Sequence, residues 1–133
     1  MSVVTKRDNK VNIHPIGEKN PNLPFHPAVR AGDYIFVSGQ VAKDADGKMC
    51  DGTIEEQCRA TIESIRRVLR CDGADLENIV KITVFLEDAR DFGRYNRTFA
   101  EYFPEGLLAR TTVEARAAIS TKIEMDAIAY KPL

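Results

Sequence analysis

Two periods of apolar recurrence run along the chain and divide it into elements. In NIVKITVFLED (78–88), Val80, Ile82, Val84 and Leu86 recur at every second position. They alternate with Lys81, Thr83 and Phe85, the spacing of a strand with one buried face. Residues 122–130 repeat the period: Ile123, Met125, Ala127 and Ala129 make one face, and Glu124, Asp126, Ile128 and Tyr130 the other. Another strand is expected over 111–118. In LLARTTVEA the same alternation sets Thr111, Val113 and Ala115 against Arg110, Thr112 and Glu114. DYIFVSGQVA is rich in β-branched and aromatic residues and is expected to end as a strand at Gly39, at a bulge or a close backbone approach.

Elsewhere the period lengthens to that of a helix. Ile54, Cys58, Ile62, Ile65, Val68 and Leu69 form one stripe. Thr53 and Glu56 have the spacing of a capping box at its start. Arg66, Arg67 and Arg70 complement the dipole at its end, with Gly73 as the stop. DARDFGRYNRTFAEYF predicts a second helix with Phe92, Tyr95, Phe99 and Tyr102 or Phe103 on one side, closed by Pro104.

Residues 1 to about 30 read as an extended, ordered loop after a short strand near Lys10–His14, because Pro21, Pro24 and Pro27 each hold the backbone extended. DADG at 44–47 predicts a turn with a short strand on either side. The order is then β-β-β-α-β-α-β-β, an α+β fold with one mixed sheet and two amphipathic helices on one face. The uncovered face would gather Lys81, Thr83, Phe85, Arg110, Thr112, Glu114, Glu124, Asp126 and Ile128. That mixture is too polar for a core and too apolar for open solvent, so it is expected to meet another subunit.

Composition narrows the function classes. The 133 residues, 44% hydrophobic and 29% charged, suit a single domain over 1–133. A net charge of −1 and a pI near 6.1 supply no general attraction to nucleic acid. No apolar run is long enough to span a membrane, and the first residues lack the apolar stretch of a signal peptide. A cytoplasmic protein without nucleic-acid or membrane partners is expected. Cys50, Cys58 and Cys71 are odd in number and fit no zinc spacing, so they read as reduced thiols in the core or at the surface. With His14 and His26 as the two histidines, a His/Cys metal site is not expected, while carboxylate ligands stay open.

Two charged residues stand out as candidate chemistry. Arg110 offers a planar fork that matches a carboxylate, and Glu124 can move a proton if its surroundings raise its pKa. A structural Arg–Glu pair, or two solvated side chains, is the plainer reading of these residues alone. Asn96 in the second helix reads as solvent-facing or as an intersubunit hydrogen bond. His26, held between prolines in PFHPAV, is as readily a surface histidine as a site residue. Ser38 and Gly39 in VSGQ can bring backbone close to a ligand.

Four stretches, PAVRAGDYIFVSGQVA, VKITVFLEDARDFGRYNRTFAEYF, ARTTVEA and IEMDAIAY, resemble the reactive intermediate deaminase family, also called YjgF-like or Rid, in order and spacing over roughly 24–130. The resemblance implies a chorismate-mutase-like fold in a homotrimer, with sheets around the threefold axis and clefts between subunits. It implies hydrolysis of enamines or imines such as 2-aminoacrylate to a 2-keto acid and ammonia, with no cofactor or metal. Arg110 then matches the arginine that grips the substrate carboxylate, and Glu124 the acid that positions water. Ser38, Gly39, Asn96 and Thr112 match the cleft lining, Thr112 standing where many members have cysteine. The chain departs from the usual GPYSQAV in reading LPFHPAV. Phe25 replaces the loop tyrosine and His26 lies beside it, and the usual Leu-Pro turn near the end is missing. These departures point towards a larger enamine, such as 2-aminomuconate, as one alternative. A non-catalytic trimer that binds small carboxylates is another, and an RNA-directed activity is disfavoured by the acidic pI.

Overall fold

The structure, a computed structural model, describes residues 12–133. Its elements are β1 (Ile13–Ile16), β2 (Ala28–Ala31), β3 (Tyr34–Val41), α1 (Ile54–Arg70), β4 (Ile79–Leu86), α2 (Phe92–Tyr102), β5 (Ala109–Glu114) and β6 (Ile123–Tyr130). The strands form one six-stranded sheet in the order β1-β2-β3-β6-β4-β5. Neighbours are antiparallel except β4 and β5, which run parallel.

This topology decides where the helices go. β3 and β4 are each antiparallel to β6 between them, so they run parallel to one another. The chain thus makes two crossovers, β3-α1-β4 and β4-α2-β5, both stepping the same way across the sheet. Crossovers are right-handed almost without exception, and two taken in one direction place both helices on one face. α1 packs against β3, β6 and α2. Its buried residues Ile54, Cys58, Ile62, Ile65 and Leu69 share one core with Ile35 and Val37 of β3, Ile82, Val84 and Leu86 of β4, and Ile123, Met125, Ala127 and Ala129 of β6. Each large apolar side chain so buried contributes about 1.5–3 kcal/mol, all of it on one side of the sheet.

The expected capping box is present: the Thr53 hydroxyl accepts from the Glu56 N–H at 3.2 Å, and the Glu56 carboxylate accepts from the Thr53 N–H at 3.0 Å. Several boundaries differ from expectation. β1 spans residues 13–16; residues 10 and 11 of the strand expected near Lys10–His14 lie outside the described residues. β2 falls within the expected loop and buries Ala28 and Arg30. β3 does not stop at Gly39 but runs to Val41, with Ser38 and Gly39 inserted between the Val37–Ala127 and Gln40–Met125 pairs as a bulge. One bridge, Lys43 to Met49, stands in place of the two strands expected around the 44–47 turn. In β4 the register slips between Ile79 and Lys81, so Ile79 is buried and Val80 exposed. A 3-10 turn at Ala89–Asp91 precedes α2, which begins at Phe92. β5 covers 109–114 rather than 111–118.

Arg30 ties three parts of this frame together. It is 3% exposed; its Nε donates to Asp72 Oδ2, just past α1, at 2.5 Å. Its Nη1 donates to the carbonyls of Gly32 at 3.1 Å and Lys131 at 2.7 Å. Removing Arg30 leaves two carbonyls without their donor and the partly exposed Asp72 to solvent. Arg30→Leu is therefore expected to lower the unfolding free energy by about 2 kcal/mol in urea titration; a loss below about 0.5 kcal/mol would show that the network only fills space.

Candidate functional site

The parallel register of β4 and β5 sets Arg110, Thr112 and Glu114 beside Ile82, Val84 and Leu86, the face of β4 that the helices cover. All three were expected on the uncovered face and are on the other one. β5 is an edge strand with few neighbours, so burial does not sort its two faces as it does in β4. Glu124 and Asp126 do lie on the uncovered face, paired in register with Phe85 and Thr83. Arg110 and Glu124 also do not sit on adjacent strands, because β4 separates β5 from β6. The two candidate groups of one chain are on opposite faces of its sheet.

Arg110 lies against α2. Its Cζ is 4.8 Å from the ring centroid of Phe99, 5.0 Å from Tyr95 and 5.8 Å from Phe92. Aromatic faces attract a guanidinium and hold it in place without occupying its N–H donors. Among the described residues no carboxylate pairs with Arg110. The Tyr95 ring is itself fixed: it is fully buried, and its hydroxyl shares a 2.5 Å hydrogen bond with Thr112 Oγ1. Beside Arg110 a cleft of about 240 Å³ opens, lined by Asn96, Phe99, Ala100, Phe103, Gly106 and Leu108. Arg110, Thr112 and Asn96 are thus brought to one place. The aromatic support was not recognised as part of a site from sequence. The signal for it was the Phe92, Tyr95, Phe99 stripe at helical spacing.

Glu124 occupies a different setting. A Cβ on Gly39 would clash with Glu124 Oε2, so the missing side chain is what lets the carboxylate lie over the β3 bulge. Ser38 Oγ donates to the His26 carbonyl at 2.8 Å, and Gln40 Nε2 donates to the Ser38 carbonyl at 3.1 Å. Phe25 is 50% exposed next to this segment. Burial, and then the negative charge of Asp126, holds the Glu124 carboxyl above its ordinary value of 4.5. Burial likewise raises Asp126. Glu124, Gly39, Ser38 and His26 therefore form a second group. Around them the uncovered face exposes Tyr34, Phe36, Val113 and Tyr130.

Cys58 is buried, Cys50 half-buried and Cys71 exposed, and all three are free. Burial pushes the Cys58 thiol up to about 12, which removes it as a nucleophile. Among the described residues no cluster of three or more His, Cys, Asp or Glu is placed to hold a metal ion. No helix among them is long and apolar enough to cross a membrane.

One mixed sheet with both helices on a single face defines an α+β fold. Solved structures share it: that of yeast Mmf1 superposes with a TM-score of 0.84 at 27% identity, covering 90% of this chain and 99% of its own. The family model described as Endoribonuclease L-PSP matches residues 17–131. The chain belongs to this family, the YjgF-like or reactive intermediate deaminase family. Among its relatives, a RutC family protein of Pyrococcus abyssi is 43% identical over 84% of this chain and 89% of its own length. A mouse relative, 33% identical over 81% of this chain and 82% of its own, bears the name 2-iminobutanoate/2-iminopropanoate deaminase.

Two predictions test the Glu124 setting. The obstacle to a methyl group at Gly39 is the far end of a flexible side chain, so Gly39→Ala should cost less than about 1 kcal/mol while displacing the carboxylate into water. Glu124 should then titrate closer to 4.5 by NMR than in the wild type; an unchanged titration would show that the glycine does not set its position. The raised value also has a stability consequence. The folded chain keeps a proton on Glu124 at pH values where the unfolded chain has released it, so this group's contribution is present below 4.5 and lost as pH rises through the raised value. Glu124→Gln is expected to raise Tm at pH 7, with the gain shrinking as pH falls towards 4.5. A Tm that falls at pH 7 contradicts this.

Proposed function

We propose that the protein is a homotrimeric deaminase of enamine and imine acids whose active sites are shared between protomers. The observation that carries the reading is the split site. An unpaired guanidinium stands on one face of the sheet and a carboxyl of raised pKa on the other, so each needs a neighbouring chain to complete it. The exposed Tyr34, Phe36, Val113 and Tyr130 on the uncovered face supply apolar area for that neighbour. Family membership and the name of the mouse relative support the chemistry.

In this reading Arg110 of one protomer holds the substrate carboxylate through two parallel hydrogen bonds. Ser38, Gly39, Phe25 and His26 of the neighbour, with Asn96 and Thr112, line the rest of the cleft. An imine carbon is already electrophilic, so positioning one water over it achieves much of the catalysis. Glu124 takes a proton from that water as its oxygen bonds to the imine carbon. The proton returns to nitrogen to give a carbinolamine; its hydroxyl proton then passes to the amine, the C–N bond breaks with ammonia as leaving group, and the C=O bond forms. One 2-imino acid and one water become one 2-keto acid and one ammonia. An enamine first takes a proton at carbon and then follows the same course. The family description names an RNA-directed activity, but the Glu124–Asp126 pair and a net charge of −1 oppose a polyanion. The free cysteines suit the reducing cytoplasm; a yeast relative is named as mitochondrial.

Generating 2-imino acids with an amino acid oxidase, and trapping them with semicarbazide, tests the reaction. The wild type should lower the trapped fraction, and Arg110→Ala should reduce kcat/KM by about 100-fold. Glu124→Ala should also be inactive alone. Co-assembling the two variants in equal amounts should restore about a quarter of the activity, because that share of sites receives an intact Arg110 and an intact Glu124 from different chains. A mixture as inactive as its parents would overturn the shared site.

A further inference from the structure

We propose that the cleft beside Arg110 receives the substrate's side chain, and that the preferred substrates are 2-imino acids bearing a branched aliphatic or aromatic group. This rests on the deaminase reading above and narrows it. Arg110 is part of the cleft wall, so a carboxylate on its guanidinium brings the substituent of the neighbouring carbon to the mouth. The rest of the wall is chiefly apolar, with Phe99, Ala100, Phe103 and Leu108. The Phe99 and Phe103 rings lie 4.7 Å apart between centroids, tilted by 31°; Phe99 is buried beneath Arg110, and the half-buried Phe103 offers the aromatic surface of the wall. Gly106, at a φ of 61° that favours glycine, lies between the end of α2 and β5 and forms part of the cleft wall.

Size and charge then select the ligand. An apolar cavity of about 150 Å³ accommodates benzene, so about 240 Å³ is ample for an isobutyl or benzyl group. A methyl group would leave most of the space to water and forgo the contact with the rings. Arg110 is the one charged side chain in this lining among the described residues. A dicarboxylate such as 2-aminomuconate would bring its second charge to a wall whose one cation already holds the first carboxylate, leaving the Asn96 amide as the polar group beside Phe103 and Leu108 and making the dicarboxylate the weaker ligand.

The test compares imines generated from alanine, leucine and phenylalanine in the trapping assay, alongside calorimetric binding of the corresponding 2-keto acids. The leucine or phenylalanine imine should exceed the alanine imine by about tenfold or more in kcat/KM, with the keto acids binding in the same order. Ala100 is on the exposed side of α2, so Ala100→Phe should keep its Tm while filling the cleft and bringing both ratios towards one. Turnover without preference, or a preference that survives Ala100→Phe, overturns the assignment and leaves the deaminase reading standing. Ordered keto-acid binding, erased by Ala100→Phe but without turnover of any imine, upholds the cleft assignment and overturns the deaminase reading. Neither turnover nor binding overturns both.

Discussion

Two crossovers that step the same way across one sheet are the constraint on which the rest of this structure depends. They force α1 and α2 onto a single face, and with them the whole buried core. The opposite face is left with Tyr34, Phe36, Val113 and Tyr130 exposed among Lys81, Thr83, Glu124 and Asp126. A sheet finished on one side only is stable through that side's burial, and the other side keeps the exposed apolar area that the proposed trimer would cover.

Two arginines show how differently the fold treats the same side chain. Arg30 is buried, and its donors go to Asp72 and to the carbonyls of Gly32 and Lys131. Arg110 is held by three aromatic rings, and those contacts leave its donors unassigned. The first is complete and structural. The second is oriented but unsatisfied, the state expected of a group that waits for a planar anion. Tyr95 makes this orientation durable, since its hydroxyl is anchored to Thr112 two residues along the same strand.

Glu124 is prepared by omission. The absent side chain at Gly39 admits its carboxylate over the β3 bulge, where burial and Asp126 favour the protonated form. A cation with free donors and an acid poised to exchange a proton are complementary parts for hydrolysing a carboxylate-bearing imine. They stand on opposite faces of one chain, which makes assembly part of the proposed mechanism rather than an accessory to it.

By itself the sequence determined α1, α2 and the central strands β3, β4 and β6, and it named much of the candidate chemistry. Alternation in β4 and β6, the helical stripe of α1 and the Thr53–Glu56 box are local patterns, and local burial and capping realise them directly. Arg110, Glu124, Ser38, Gly39 and Asn96 could be named as candidates because the motifs that carry them are contiguous. Tertiary structure alone decided which way β5 turns. Its two faces are similarly mixed, so period two distinguishes them without saying which meets the helices, and Val113 ends on the uncovered side. It also decided between Ile79 and Val80, two adjacent apolar residues that a register slip tells apart. The insertion of β6 between β3 and β4, which separates Arg110 from Glu124, comes from pairing between distant segments. Local pattern carries no record of strand order, because any partner with the right face can satisfy a strand's hydrogen bonds.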